Sequence, residues 1–179
     1  MTDSLGKFML SQNQQIKRRT TSIPSHFTGA TIFNREIAIL TLERKGDTLR
    51  LCPEASAHLF LKGRTCDALR EFQHEAQQFL RGTAITKIIL RGGPESGQYT
   101  GGPLGYKIEA ALQLISSIDV EIVHANSVNA WQRRYGRAAP ATIPGLKYAA
   151  RQLHQTAIAT ACYAEAEARA AALRAQGMS

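Results

Sequence analysis

Gly101-Gly102-Pro103-Leu104-Gly105-Tyr106-Lys107-Ile108-Glu109 sets a glycine pair, a cation and a carboxylate at the expected start of one helix. Gly101 and Gly102 ahead of a helix would present backbone N–H groups and the positive end of the dipole, a candidate phosphate loop. The match to a nucleotide loop fails, because Tyr106 separates Gly105 from Lys107 and Ile108 stands where G-x-x-x-x-G-K-[ST] needs a hydroxyl. G-x-G-x-x-G is absent as well. Glycines that simply let the chain turn across a sheet also account for this loop. Lys107 and Glu109 are two apart and face different ways on a helix, so they do not pair with each other. Glu109 is then either a solvated carboxylate near a helix start, favoured by the dipole, or a functional acid with Lys107 as a phosphate contact.

The cations are distributed unevenly. From Ile122 to Ala164 there are 43 residues without Asp or Glu, yet with Arg133, Arg134, Arg137, Lys147 and Arg151, and with His124 and His154. Clustered cations without acidic neighbours attract phosphates. Trp131 and Tyr135 lie among the arginines, where they would either stack on bases or anchor a helix. Residues 4–35 also lack carboxylates and hold Lys7, Lys17, Arg18, Arg19 and Arg35. Before Ser22 no helical or strand period is visible, so residues 1–22 read as a flexible basic arm, with or without a phosphate to touch.

Other chemistries are poorly served. There is no G-x-S-x-G elbow, and Cys52, Cys66 and Cys162 form neither C-x-x-C nor a Cys/His cluster, so three thiols in a reducing compartment are expected and no zinc. His124 at the end of the last expected strand and His154 on the last helix are a candidate pair near Arg91. The chain of 179 residues has 22 Lys plus Arg against 14 Asp plus Glu, a formal charge of +8, with 44% hydrophobic and 20% charged residues. That composition excludes a fibre or a wholly disordered chain and suits one globular domain with a polyanionic partner. No apolar run reaches the ~20 residues of a membrane span, and the start lacks a signal peptide, so a cytoplasmic protein with no membrane partner is expected.

The elements that hold these residues follow from their periods. Residues 26–33, 35–43 and 47–54 are rich in β-branched residues, with a turn at Lys45-Gly46-Asp47, and read as a three-stranded meander. Thr65 caps an expected helix to Arg81 with a stripe of Leu69, Phe72, Ala76, Phe79 and Leu80. Ile88-Ile89-Leu90 is a continuous apolar strand, covered on both faces. A glycine-rich loop follows over 92–105, then a helix from Pro103 to about Ser117, a fifth strand over 120–126, a short helix capped by Ser127 or Asn126, a Pro-containing loop, and a helix from Leu146 into an Ala-rich tail. The expectation is an α/β domain over residues 23–164 with a mixed five-stranded sheet and flanking helices, plus a helical extension over 165–179. Three strands followed by alternating helices and strands is the order of the ribonuclease H-like superfamily.

The string from Gly101 to Ile115 resembles a bacterial family known as domain of unknown function 3010: Gly-Gly, then a small residue, an aromatic, Lys, an aliphatic, Glu, Ala-Ala and an aliphatic run. The resemblance runs from Thr28 to Ala164, through Gly29-Ala30-Thr31, Lys87 to Leu90, the fifth strand and Gly145-Leu146-Lys147. It implies a RuvC-type nuclease fold. Such chemistry needs three or four carboxylates around two Mg²⁺ ions ~4 Å apart, drawn in this superfamily from the first strand, the end of the fourth and the last helix. Here Thr31 stands on the first strand, Arg91-Gly92-Gly93 ends the fourth with Glu95 displaced into the loop, and the last helix offers only His154 and Gln155. Glu109 alone matches, as a remnant metal ligand, and an Arg in a metal position repels cations.

The leading expectation is therefore a catalytically degenerate nucleic-acid-binding module, without cofactor, that uses Arg91, Lys107, Arg133, Arg134, Arg137, Lys147 and Arg151 to hold DNA or RNA, alone or as a subunit of a larger nucleoprotein assembly. Glu109 and His154 are its only catalytic candidates. One alternative is an active Mg²⁺-dependent nuclease with Glu36, Glu95, Glu109 and Asp119 as atypical ligands, or with ligands from a second subunit. Another is an assembly protein whose terminal helix docks a protein partner or a second copy.

Overall fold

The computed structural model describes residues 24–83, 85–92, 102–135 and 148–177, with the helical residues 131–135 and 148–152 described as backbone. The expected basic arm over 1–22 lies outside them. Its elements are β1 (His26–Phe33), β2 (Glu36–Lys45), β3 (Thr48–Leu51), a 3-10 turn (Pro53–Ala55), β4 (Ala57–Phe60), α1 (Cys66–Arg81), β5 (Lys87–Arg91), α2 (Pro103–Gln113), β6 (Asp119–Val123), α3 (Ala125–Tyr135) and α4 (Tyr148–Ala175). The sheet runs β3-β2-β1-β5-β6, antiparallel through β1, β2 and β3 and parallel from β1 to β5 and β5 to β6.

The meander is present, but the sheet has six strands where five were expected. β3 and β4 pair with successive halves of β2; the third expected strand, over 47–54, stops at Leu51 before the turn at Pro53, and β4 is a further strand that was not expected. Proline has no N–H to give to a ladder, so the edge breaks there. The backbone of Thr41 opposite the break is still satisfied: Cys52 N–H donates to its carbonyl at 2.9 Å, and its own N–H donates to Ser56 Oγ at 3.2 Å. Asn34 and Gly46 take positive φ at the two tight turns of the meander, where Asn and Gly meet little steric cost.

Alternation assigns the two sheet faces. Ala30, Ile37, Ile39, Ile88 and Leu90 point to α1 and α2 and form the main core with Phe72, Ala76, Leu80, Ile108, Ala111 and Leu112. On that face Thr28 and Thr41 join their hydroxyls at 2.9 Å, which satisfies two fully enclosed polar groups. α1 starts as expected, with the Thr65 side chain accepting from Ala68 N–H at 3.2 Å. Ala38, Leu40 and Leu42 point the other way, against Leu153, Ala157, Ile158 and Ala161 of α4. This helix crosses β1 so closely that a Cβ placed on Gly29 would stand 2.2 Å from Ala161 N. It continues without a break past Ala164, and Glu165 forms an ion pair with Arg44 of β2.

α3 begins at Ala125, earlier than a Ser127 or Asn126 cap would allow. The side chain of His124 takes that role: its Nδ1 accepts from Asn126 N–H at 3.2 Å, satisfying a donor that the first turn leaves open.

Candidate functional site

Strand register builds one transverse row across the sheet. His58 pairs with Ala38, Ala38 with Thr31, Thr31 with Arg91, and Arg91 with Val123. Ala38 packs against α4, and Val123 meets Val128 and Ala159, so the row faces α3 and α4. At its centre stand Thr31, buried, and Arg91, the last residue of β5. A continuous apolar strand ending in Arg places this cation at the sheet's rim because three preceding residues anchor it in the core.

Arg91 Nη2 donates to Asn129 Oδ1 of α3 at 3.4 Å, a long contact that orients the guanidinium. Its Nε is enclosed without a hydrogen-bond partner among the described residues, and it makes no ion pair with them. Burial lowers the Arg91 pKa from its ordinary value, yet a guanidinium remains charged at neutral pH. The arrangement is a half-buried cation with spare donors.

Arg91 lines a cleft of about 60 Å³ with Asn34, Gly102, Tyr106 and Glu109. Gly102 is the cap residue of α2, so the expected glycine loop does reach this cleft, while Gly101 lies outside the described residues. Glu109 shares the space with Arg91 without an ion pair, and desolvation raises its pKa from the ordinary value. Lys107 lies elsewhere: its Nζ donates to the Arg64 carbonyl at 3.2 Å, tying α2 to the segment that enters α1.

The remaining candidates among the described residues do not converge. His154 is buried, and its ring meets that of His58 edge to face at 5.3 Å, while His58 Nε2 lies 3.2 Å from Glu36 Oε2. His124 follows Val123 at the other end of the row, four strand spacings or about 19 Å away. The expected His124–His154 pair is therefore not formed, since His154 belongs with β4 and His124 caps α3. Asp119 pairs with Lys87 at the start of β5, about 13 Å of strand away from Arg91, and Glu36 is engaged by His58. Arg133 and Arg134 are on α3 and Arg151 on α4, with side chains outside the described residues, as Glu95, Arg137 and Lys147 are entirely.

Among the described residues no three His, Cys, Asp or Glu are grouped to hold a metal ion. The described donor set in the cleft, one carboxylate beside a guanidinium, does not fit a pair of Mg²⁺ ions. No described helix is long and apolar enough to cross a membrane. Two features escaped sequence reading: the Arg91–Asn129 contact and the His58–His154 contact. Both join residues distant in the chain, and only the sheet register reveals them.

The family model described as Protein of unknown function (DUF3010) matches residues 26–164. Among solved structures, the chain is similar to T. thermophilus RuvC in complex with a Holliday junction substrate, at 16% identity and a TM-score of 0.54, covering 86% of this chain and 97% of that one. Thermus thermophilus RuvC gives 17% identity, the same TM-score of 0.54, and the same coverage of 86% and 97%. A comparison with curated proteins finds no match.

Proposed function

The chain belongs to the DUF3010 family and has a RuvC-like ribonuclease H fold, and on that premise we propose that it is a nucleic-acid-binding module that holds phosphates without cutting them. The observation that carries this reading is the Thr31–Arg91 register pair: a hydroxyl and a cation occupy the adjoining ends of β1 and β5. In this architecture those positions would need carboxylates to hold metal. A guanidinium there selects anions instead, and its planar donors suit phosphate oxygens.

The cleft favours the same ligand chemistry. Gly102 at the α2 N-cap lines the cleft at the end of the helix where the dipole is positive. Desolvation raises the Glu109 pKa, so a negative charge on Glu109 in this cleft is less favourable than on an exposed carboxylate. The basic residues of α3 and α4, Arg133, Arg134 and Arg151, belong to the two helices that cover the Arg91 face, and Arg137 and Lys147 lie in the segment between them. Five cations in a stretch without acidic neighbours would supply further phosphate contacts for a longer backbone. The work of the module would be done in the cytoplasm, within a larger nucleoprotein assembly; the free thiols of Cys52, Cys66 and Cys162 suit that reducing compartment.

Fluorescence anisotropy with labelled DNA and RNA across a salt series tests the reading. Affinity should fall by orders of magnitude between low and moderate salt. Arg91→Gln should weaken binding and lower the salt slope by about one. Affinity indifferent to salt defeats the proposal. Cleavage in Mg²⁺ or Mn²⁺ that disappears in Glu109→Ala would defeat the no-cutting half and reinstate a nuclease with atypical ligands.

A further inference from the structure

Two exposed aromatic rings belong to the elements that meet around Arg91. Phe33 is 63% exposed and Tyr106 48% exposed, although both belong to regular elements with well-filled cores. Phe33 lies two residues beyond Thr31 on β1, hence on the same face as Thr31 and its register partner Arg91. Tyr106 is in the first turn of α2, the helix packed on the opposite face, and it lines the Arg91 cleft from that side. Arg35 adds a second cation at the β1–β2 turn, its guanidinium held 4.5 Å from the centre of the Phe60 ring.

A single exposed phenylalanine at a strand end needs no role. Two exposed rings near a cation that has no ion pair among the described residues have the composition of a nucleotide reader. The size of the cleft decides how a nucleotide would sit. At about 60 Å³ the cleft is far smaller than the ~300 Å³ at which ligand pockets begin, so it admits part of a nucleotide and not the whole of one. A base whose phosphate meets Arg91 must therefore lie outside the cleft, against the rings. Bases in a duplex already stack on their neighbours, whereas unpaired bases have both faces free.

Building on the nucleic-acid reading above, we infer that Phe33 and Tyr106 are a stacking platform and that the ligand is single-stranded nucleic acid, with its phosphate at Arg91 and its bases on the two rings. Because every base has a π-face, the platform accepts any sequence.

The test uses the full chain and three labelled probes of one length: a single strand, its duplex, and a single strand with abasic sites. The single strand should bind best. Phe33→Ala and Tyr106→Ala should each weaken it by about fivefold to a hundredfold while leaving duplex and abasic affinities within about twofold. Tyr106→Phe, which keeps the ring, should restore single-strand binding. Equal loss on all three probes, or no loss on any, overturns the inference while salt-dependent binding by the unaltered chain keeps the broader reading alive. If the unaltered chain binds none of the probes at low salt, the nucleic-acid reading itself falls. Thermal melts identical to that of the unaltered chain establish that the exposed-ring variants fold.

Discussion

Arg44 on β2 and Glu165 on α4 form an ion pair whose side chains keep only 20% and 11% of their exposure, so the helix is tied to the sheet beyond the end of the family match at residue 164. Breaking such a pair from one side strands a charge in a poorly hydrated place. Glu165→Ala should destabilise the fold by about 3 kcal/mol. The double variant Arg44→Met/Glu165→Leu should recover most of that loss. Urea denaturation of the three variants measures both effects. Ending the chain at Ala164 should have the same destabilising effect as Glu165→Ala or a greater one.

Gly29 is fixed by the close crossing of β1 and α4. An added Cβ would meet Ala161 N at 2.2 Å and Ala157 O at 2.4 Å, both backbone atoms that cannot rotate away. Gly29→Ala must push the helix off the sheet and should lower stability by about 3 kcal/mol, the upper part of the usual range for overpacking. Thermal denaturation followed by circular dichroism would show it.

Glu109 makes stability depend on pH in a stated direction. Desolvation raises its folded pKa above the ordinary value of a glutamate, so the folded chain holds that proton more tightly than the unfolded chain does. The contribution favouring the fold is complete below about pH 4.5 and is lost as pH rises through the higher folded value. Glu109→Gln should therefore melt at a higher temperature than the unaltered chain at pH 7, and that difference should close as pH falls. Parallel melts from pH 4 to pH 8 decide the matter.

The cysteines should differ in reactivity. Burial pushes the Cys162 thiol up to about 11, and Cys52 is raised by burial and by the Glu54 carboxylate, which accepts its S–H at 3.2 Å. Cys66 is exposed at the start of α1. Iodoacetamide at pH 8 should label Cys66 first, with Cys52 and Cys162 protected until denaturant is added. Mass spectrometry of peptides over time reads the order.

Periodic segments were legible in the sequence. The meander, the Thr65-capped helix and the strand ending at Arg91 all follow from local alternation, a side-chain cap or a short apolar run. β4 was not, because Ala57–Phe60 is four residues long and exists only by pairing with β2. The start of α3 was missed for a different reason, since an imidazole is an unusual helix cap. At the site, Arg91 could be placed because it ends a strand, and Glu109 because it follows the glycine motif. The separation of Glu36, Asp119 and His124 could not, because it depends on which end of the sheet each occupies.

The Pro53 break has a consequence for life in a crowded solution. It leaves the outer rim of the sheet as two four-residue stretches, β3 and β4, with Pro53 and Glu54 exposed at the interruption. A neighbouring unfolded chain looking for a template to extend finds no long, flat row of free N–H and C=O groups on that side. The break at Pro53 thus protects the molecule against edge-to-edge fibril growth.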